Sequence, residues 1–133
     1  MLRIVLPFIL SMFLATSAQA QDAEIKDTIN RQFDAFRVDD FGTAFEFASP
    51  NLQRLFQTPE NFGRMVTQGY PMVWRPGEVR FLELDAQGDT FWQKVMITDM
   101  NGRVHILAYR MLQTDAGWRI NGVQILDSAD PSV

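Results

Sequence analysis

The side chains that could do chemistry in this chain are few and close together in sequence. They are Gln93, Asp99, His105 and Arg110, with Tyr70 further upstream. Apart from His105 no side chain has an unperturbed pKa near neutrality, but the register set by a two-residue Asn101-Gly102 turn puts it on the outer face, where a surface or interface histidine is expected in preference to a general base. Arg110 carries a fixed fork of donors suited to a carboxylate, phosphate or carbonyl. Gln93 can assist it with an amide. Asp99 stands beside a turn, where a solvated acid is the default. Tyr70 follows a helix and could line the mouth of a pocket or simply pack there.

Other chemistries lack their residues. The chain has no cysteine, which removes disulfides and thiolate sites. One histidine with carboxylates makes an unusual zinc site. There is no glycine-rich phosphate loop and no Gly-x-Ser-x-Gly elbow. Trp74-Arg75 and Trp118-Arg119 invite a stacking role, but packing accounts for them better. No cofactor or metal is expected.

The first twenty residues read as an export leader. Arg3 supplies the positive start, Ile4 to Leu14 the apolar run, and Ala18-Gln19-Ala20 the small-x-small cleavage pattern. A run of eleven residues, broken by Pro7 and Ser11, is too short for a spanning helix, which needs about 20 apolar residues. Cleavage after Ala20 takes twenty of the 133 residues and leaves 113, one domain. Loss of Arg3 reduces twelve basic residues to eleven against sixteen acidic, a net charge of −5. That balance argues against nucleic acid or an anionic membrane as the main partner. A cysteine-free exported domain fits the bacterial periplasm. The expected organisation is a leader at 1–20, a single domain at 21–126 and a tail at 127–133.

The elements that must position the candidate residues fall into two halves. Ile25, Ile29, Phe33 and Phe36 recur at helical spacing, with Asp22 as N-cap and Asp27–Arg31 paired on the surface. Asp39-Asp40 starts a second helix through Ala44 and Ala48. Ser49-Pro50 ends it and starts a further turn through Leu52, Leu55 and Phe56. Thr58-Pro59-Glu60 opens a third helix, with Phe62, Met65 and Val66 inward and Gly69 as its stop. Met72 to Arg75 reads as a short strand. Strands follow at 78–85, 90–99, 103–112 and 118–126, joined by Gln87-Gly88, Asn101-Gly102 and Asp115-Ala116-Gly117. Helices first and an antiparallel meander second predict an α+β domain, three N-terminal helices on one face of a curved sheet.

A two-residue turn at Asn101-Gly102 sets the register: Met100 faces Arg103, and Gln93 faces Arg110. The face with Phe91, Val95, Ile97, Ile106, Ala108 and Leu112 is then the helix-covered one. Gln93 and Arg110 lie on it beside Leu82, either satisfied by Asp34 or Glu46, or forming the polar floor of a ligand pocket. Asp99 lies on the same face. The opposite face collects Trp92, Met96, His105, Leu107, Tyr109 and Met111. So apolar a face predicts an interface, most simply a homodimer. A slip of one residue would move His105 inside.

The order of elements resembles the nuclear transport factor 2-like fold, also called cystatin-like or ketosteroid isomerase-like. Local phrases carry the likeness further. They are Gln32-Phe33-Asp34-Ala35-Phe36, Asp39-Asp40-Phe41, Ala48-Ser49-Pro50, Phe62 with Met65-Val66 and Tyr70, and Gly117-Trp118-Arg119-Ile120-Asn121-Gly122-Val123. Together they are similar to the bacterial family called domain of unknown function 4864. The resemblance implies dimers and a pocket between sheet and helices. Within it, a small-molecule or protein-binding role is expected. A small enzyme of the isomerase, hydrolase or dehydratase kind, or an interaction module acting through the outer sheet face, are the alternatives. Ketosteroid isomerases of this fold use an aspartate base with a tyrosine and a protonated aspartic acid as donors, and no such trio can be placed here by motif.

Overall fold

A computed structural model describes residues 8–126, with side chains from Ala18 onward. The expected leader therefore falls for the most part outside the described side chains, and the expected tail at 127–133 lies outside the described residues. Helix α1 spans Phe8–Arg37 and is followed by α2 (Phe41–Glu46), α3 (Pro50–Phe56), α4 (Pro59–Gly69) and α5 (Pro71–Trp74). Strands β1 (Pro76–Gln87), β2 (Thr90–Asp99), β3 (Val104–Thr114) and β4 (Gly117–Leu126) form one antiparallel sheet in sequence order. The architecture is α+β, with helices first and an open four-stranded meander after them. No helix of the described residues is long and apolar enough to cross a membrane.

Side-chain caps set most helix starts. Asp40 accepts the Thr43 N–H at 3.1 Å, Ser49 the Leu52 N–H at 3.2 Å, and Thr58 the Asn61 N–H at 3.1 Å. Proline occupies the first turn of α3, α4 and α5, where no N–H is missed. Asp22 is not a cap. Helix α1 runs through it, and its carboxylate pairs with Lys26 at 3.0 Å one turn on. Asp27 and Arg31 pair as expected, at 2.9 Å. Residues 71–74 form a helical turn and not a strand, because Val73 and Trp74 both donate to the Tyr70 carbonyl. Five helical segments thus stand where three and a turn were expected.

The register between β2 and β3 differs by one residue from the two-residue turn. Thr98 faces Val104, Ile97 faces His105, and Gln93 faces Tyr109. The loop holds three residues, Met100, Asn101 and Gly102. Asp99 decides this: its Oδ1 accepts the N–H groups of both Asn101 and Arg103 at 2.9 Å. Gly102 alone takes a positive φ there, +83°, where a two-residue type I′ turn needs two such residues.

One residue of slip inverts every side chain on β3. Leu107, Tyr109 and Met111 point into the core, each 0–1% exposed, under Phe33, Phe36, Ile25 and Ile29 of α1. Ile106, Ala108, Arg110 and Leu112 take the outer face instead. Strand β1 carries a bulge between Phe81 and Leu84, so Val79, Phe81 and Leu84 pack inward and Arg80 stays exposed.

At the start of β1, Gly77 lies against the β2 backbone. A β-carbon there would stand 2.6 Å from the Thr98 carbonyl oxygen. Gly77→Ala should cost about 1–3 kcal/mol in urea unfolding; unchanged stability would mean this contact relaxes freely.

Candidate functional site

The candidate site is built from the link between α2 and α3. Phe47, Ala48 and Ser49 run along β4 and bond to its backbone. Ser49 donates its N–H to the Ile120 carbonyl at 2.8 Å, and Ile120 returns its own N–H to the Phe47 carbonyl at 2.8 Å. The Ser49 hydroxyl donates to Asn121 Oδ1 at 2.6 Å while capping α3. Gln53 adds two bonds from its amide to the carbonyls of Phe45 and Ala48. Asn121 is the extra residue of a β4 bulge, because Arg110 faces Gly122 whereas Met111 faces Ile120. Such a bulge bends its strand locally, and the link fastens the start of α3 to it.

Between the helices and the sheet lies a cavity of about 240 Å³. Phe36, Phe62, Val66 and Ile120 form its buried walls, and the half-buried Leu52, Phe56 and Met65 stand toward solvent. Phe62 is the hub of the aromatic wall, with ring centroids 5.9 Å from Phe36, 5.3 Å from Phe45 and 5.7 Å from Phe56. Two polar side chains reach the lining. Gln32 of α1, buried, donates its amide to the Ala44 carbonyl at 3.1 Å, which leaves its oxygen as the acceptor. Tyr70 donates its hydroxyl to the Val123 carbonyl at 3.2 Å. A neutral carboxamide and a phenol in an apolar enclosure suit orientation of a ligand by hydrogen bonds.

The structure brings Tyr70 to this cavity but not Gln93, Asp99 or Arg110. Arg110 is exposed on the outer face, its guanidinium 5.9 Å above the Trp92 ring. The inverted register put it there, so it is no pocket floor, and Asp34 pairs with Arg37 instead, at 2.9 Å. Gln93 is fully buried, as expected, but lies against the β1 bulge: its amide donates to the carbonyls of Leu82 at 3.0 Å and Lys94 at 2.9 Å. Asp99 bonds to His105 Nε2 at 2.9 Å at the hairpin end of the sheet. That bond, with the Arg103 N–H, holds the Asp99 carboxyl below the usual carboxylate range.

The face expected to form an interface keeps only part of its set. Trp92 and Met96 lie on the outer face and are half-buried. His105, Leu107, Tyr109 and Met111 belong to the helix-covered face, for the same reason of register. Ile106 and Leu112 replace them outside, interleaved with Arg110 and with Lys94, which pairs with Glu83 at 2.8 Å. Among the described residues no three acidic, histidine or cysteine side chains gather as a metal site would require.

Sequence reasoning missed Gln32 and most of the aromatic wall. Gln32 had a readable signal: with Thr28 it is a polar residue on the apolar stripe of α1, and both are buried. The pairing of 47–49 with β4 had none, because it joins residues about seventy positions apart.

The chain belongs to the family described as a domain of unknown function (DUF4864), which matches residues 18–133. It is similar in structure to a SEC-C motif containing protein from Rhodopseudomonas palustris, solved in solution. The two share 15% identity at a TM-score of 0.52, over 71% of this chain and 73% of the other. At that identity the likeness concerns the fold alone. No curated protein matches the sequence.

Two substitutions check the site's scaffold. Ser49→Ala removes a cap and the bond to Asn121, and should cost about 1–2 kcal/mol in urea unfolding. A cost near zero would mean the link is not what holds α3. Tyr109 is different: its hydroxyl is buried with no partner among the described residues, and burial pushes its pKa well above the usual phenol range. Tyr109→Phe should leave stability equal or higher; a marked loss would reveal a hidden partner.

Proposed function

We propose that this member of the DUF4864 family is an exported binding domain that holds a small neutral molecule in the cavity between helices and sheet. The observation that carries the reading is the cavity's lining. About 240 Å³ of space is walled by aromatic and aliphatic side chains, with Gln32 and Tyr70 as its polar side chains. A cavity of about 150 Å³ lined by Leu, Ile and Phe stays dry and takes benzene. The larger space here suits a substituted ring or a short branched chain. Burying an unpaired charge in such walls is costly, so the ligand is neutral, with one donor group for Gln32.

Binding is favoured over acid–base catalysis because the polar groups in the wall are a carboxamide and a phenol. His105 and Asp99, the histidine–carboxylate pair, bond to each other at the hairpin end and do not line the cavity. The helix-then-meander order and the position of the cavity support placing the domain in the nuclear transport factor 2-like superfamily. Arg3, the apolar run and Ala18-Gln19-Ala20 support export to the periplasm.

The cavity is tested by thermal unfolding with 4-ethylphenol. At a hundredfold excess over Kd the expected gain is about 2.7 kcal/mol. Met65→Trp, which fills the mouth, should abolish that gain while the protein remains folded. Absence of a gain with any neutral compound of this size, or a gain that survives Met65→Trp, would overturn the reading. Export is checked separately: protein recovered from the periplasmic fraction should begin at Gln21, and an intact Met1 would reject the leader.

A further inference from the structure

A second opening lies on the other side of α5. Val73 lines the cavity, whereas Met72 and Trp74 line a groove of about 460 Å³ against the β2–β3 hairpin. Arg75, Asp99, Arg103 and His105 supply its charged and titratable groups. Both nearby acids are already satisfied. Asp39 accepts Trp74 Nε1 at 2.8 Å and Arg75 Nη2 at 2.9 Å. Asp99 accepts the N–H groups of Asn101 and Arg103, and its second oxygen meets His105 Nε2, each at 2.9 Å.

The bases are not used up in the same way. Arg75 gives one Nη2 bond to Asp39 and two Nη1 bonds, to the carbonyls of Phe36 at 2.7 Å and Trp74 at 3.2 Å. A guanidinium has five N–H donors, so its Nε–H and one Nη2–H are left. The Arg103 side chain is exposed and makes no hydrogen bond or ion pair among the described residues. The groove therefore carries a surplus of cationic donors along an apolar wall. The half-buried Trp74 ring carries the Arg75 guanidinium over one face, 4.1 Å from its centroid, and the buried Met72 lines the same groove.

From this juxtaposition we infer that the groove between α5 and the β2–β3 hairpin binds a small planar carboxylate. Its carboxylate meets Arg103 and the remaining Arg75 donors, and its ring lies along Trp74 and Met72. Arginine matches a carboxylate through two parallel N–H bonds, and an aromatic wall takes a planar body. The inference stands apart from the cavity, whose ligand is neutral where the groove's is an anion.

Benzoate is the probe, with benzyl alcohol as its neutral counterpart and acetate as the anion without a ring. Titration of the full mature chain, followed by the Trp74 indole N–H resonance and by calorimetry, should show saturable binding of benzoate. Benzyl alcohol and acetate should each bind at least about tenfold more weakly. Arg103→Gln should weaken benzoate about fivefold, and Arg103→Glu should abolish it, both at unchanged thermal stability because Arg103 is exposed. No saturable response to benzoate, equal response to benzyl alcohol, or unaltered affinity in Arg103→Glu would overturn the inference. So would benzoate shifts confined to Tyr70 and Val123, which would place it in the cavity.

Discussion

One carboxylate oxygen of Asp99 accepts two backbone N–H groups, and the face of every side chain on β3 follows from the turn this makes. The turn holds three residues between paired strands, which puts Leu107, Tyr109 and Met111 beneath α1. Those side chains complete the core. Phe33 meets Tyr109 edge-on at 6.2 Å, and Ile25, Ile29 and Phe36 fill the rest of the layer. Burial of several such side chains, at about 1.5–3 kcal/mol each, outweighs anything the alternative register offers, since that register would turn Arg110 inward.

The sheet that results is not a plain meander. Two bulges bend it, and each has its own polar anchor. Gln93 lies against the bulge in β1 and donates to the Leu82 and Lys94 carbonyls, while its own oxygen is buried without a partner among the described residues. Asn121 in β4 accepts from Ser49, which ties the α2–α3 link to the strand. The second anchor fastens the start of α3 to β4 beside the cavity, whose lining takes Ala48 from the link and Ile120 and Gly122 from the strand. The cavity is a gap in the packing that borders the β4 bulge, with Ile120 and Gly122 on either side of Asn121 in its lining.

Electrostatics divide the molecule in the same way. The polar side chains that line the cavity are neutral, which suits apolar walls. Charge lies on the solvent side of α1, on the outer sheet face and at the hairpin end. At the hairpin end His105 and the Arg103 N–H hold the Asp99 carboxyl below the usual carboxylate range, and after α1 Trp74 and Arg75 do the same for Asp39. Arg75 also closes the exposed C-terminus of α1 through the Phe36 carbonyl, a favourable place for a cation. The same side chain thus secures the helix and faces the groove.

How much of this was legible depends on the range of the interaction concerned. Caps at Asp40, Ser49 and Thr58, the inward stripe of α1 and the four strands are local, and the amino-acid order determined them. So did the helix-then-sheet class and the family likeness. The leader at 1–20 is likewise a reading of sequence alone. Register was not legible, because Asn101-Gly102 suits a two-residue turn, and only Asp99, two residues before that pair, selects three. Residues 71–74 carry apolar and β-prone side chains, but the Tyr70 carbonyl captures them as a helical turn. Arg110 and His105 changed faces through that single step, and with them the site they were expected to make. The cavity, Gln32 within it and the groove beside Trp74 were decided by tertiary structure. Each is made by side chains or bulges from elements distant in sequence, and their separation is set only when α3, α4 and α5 come to rest against the sheet.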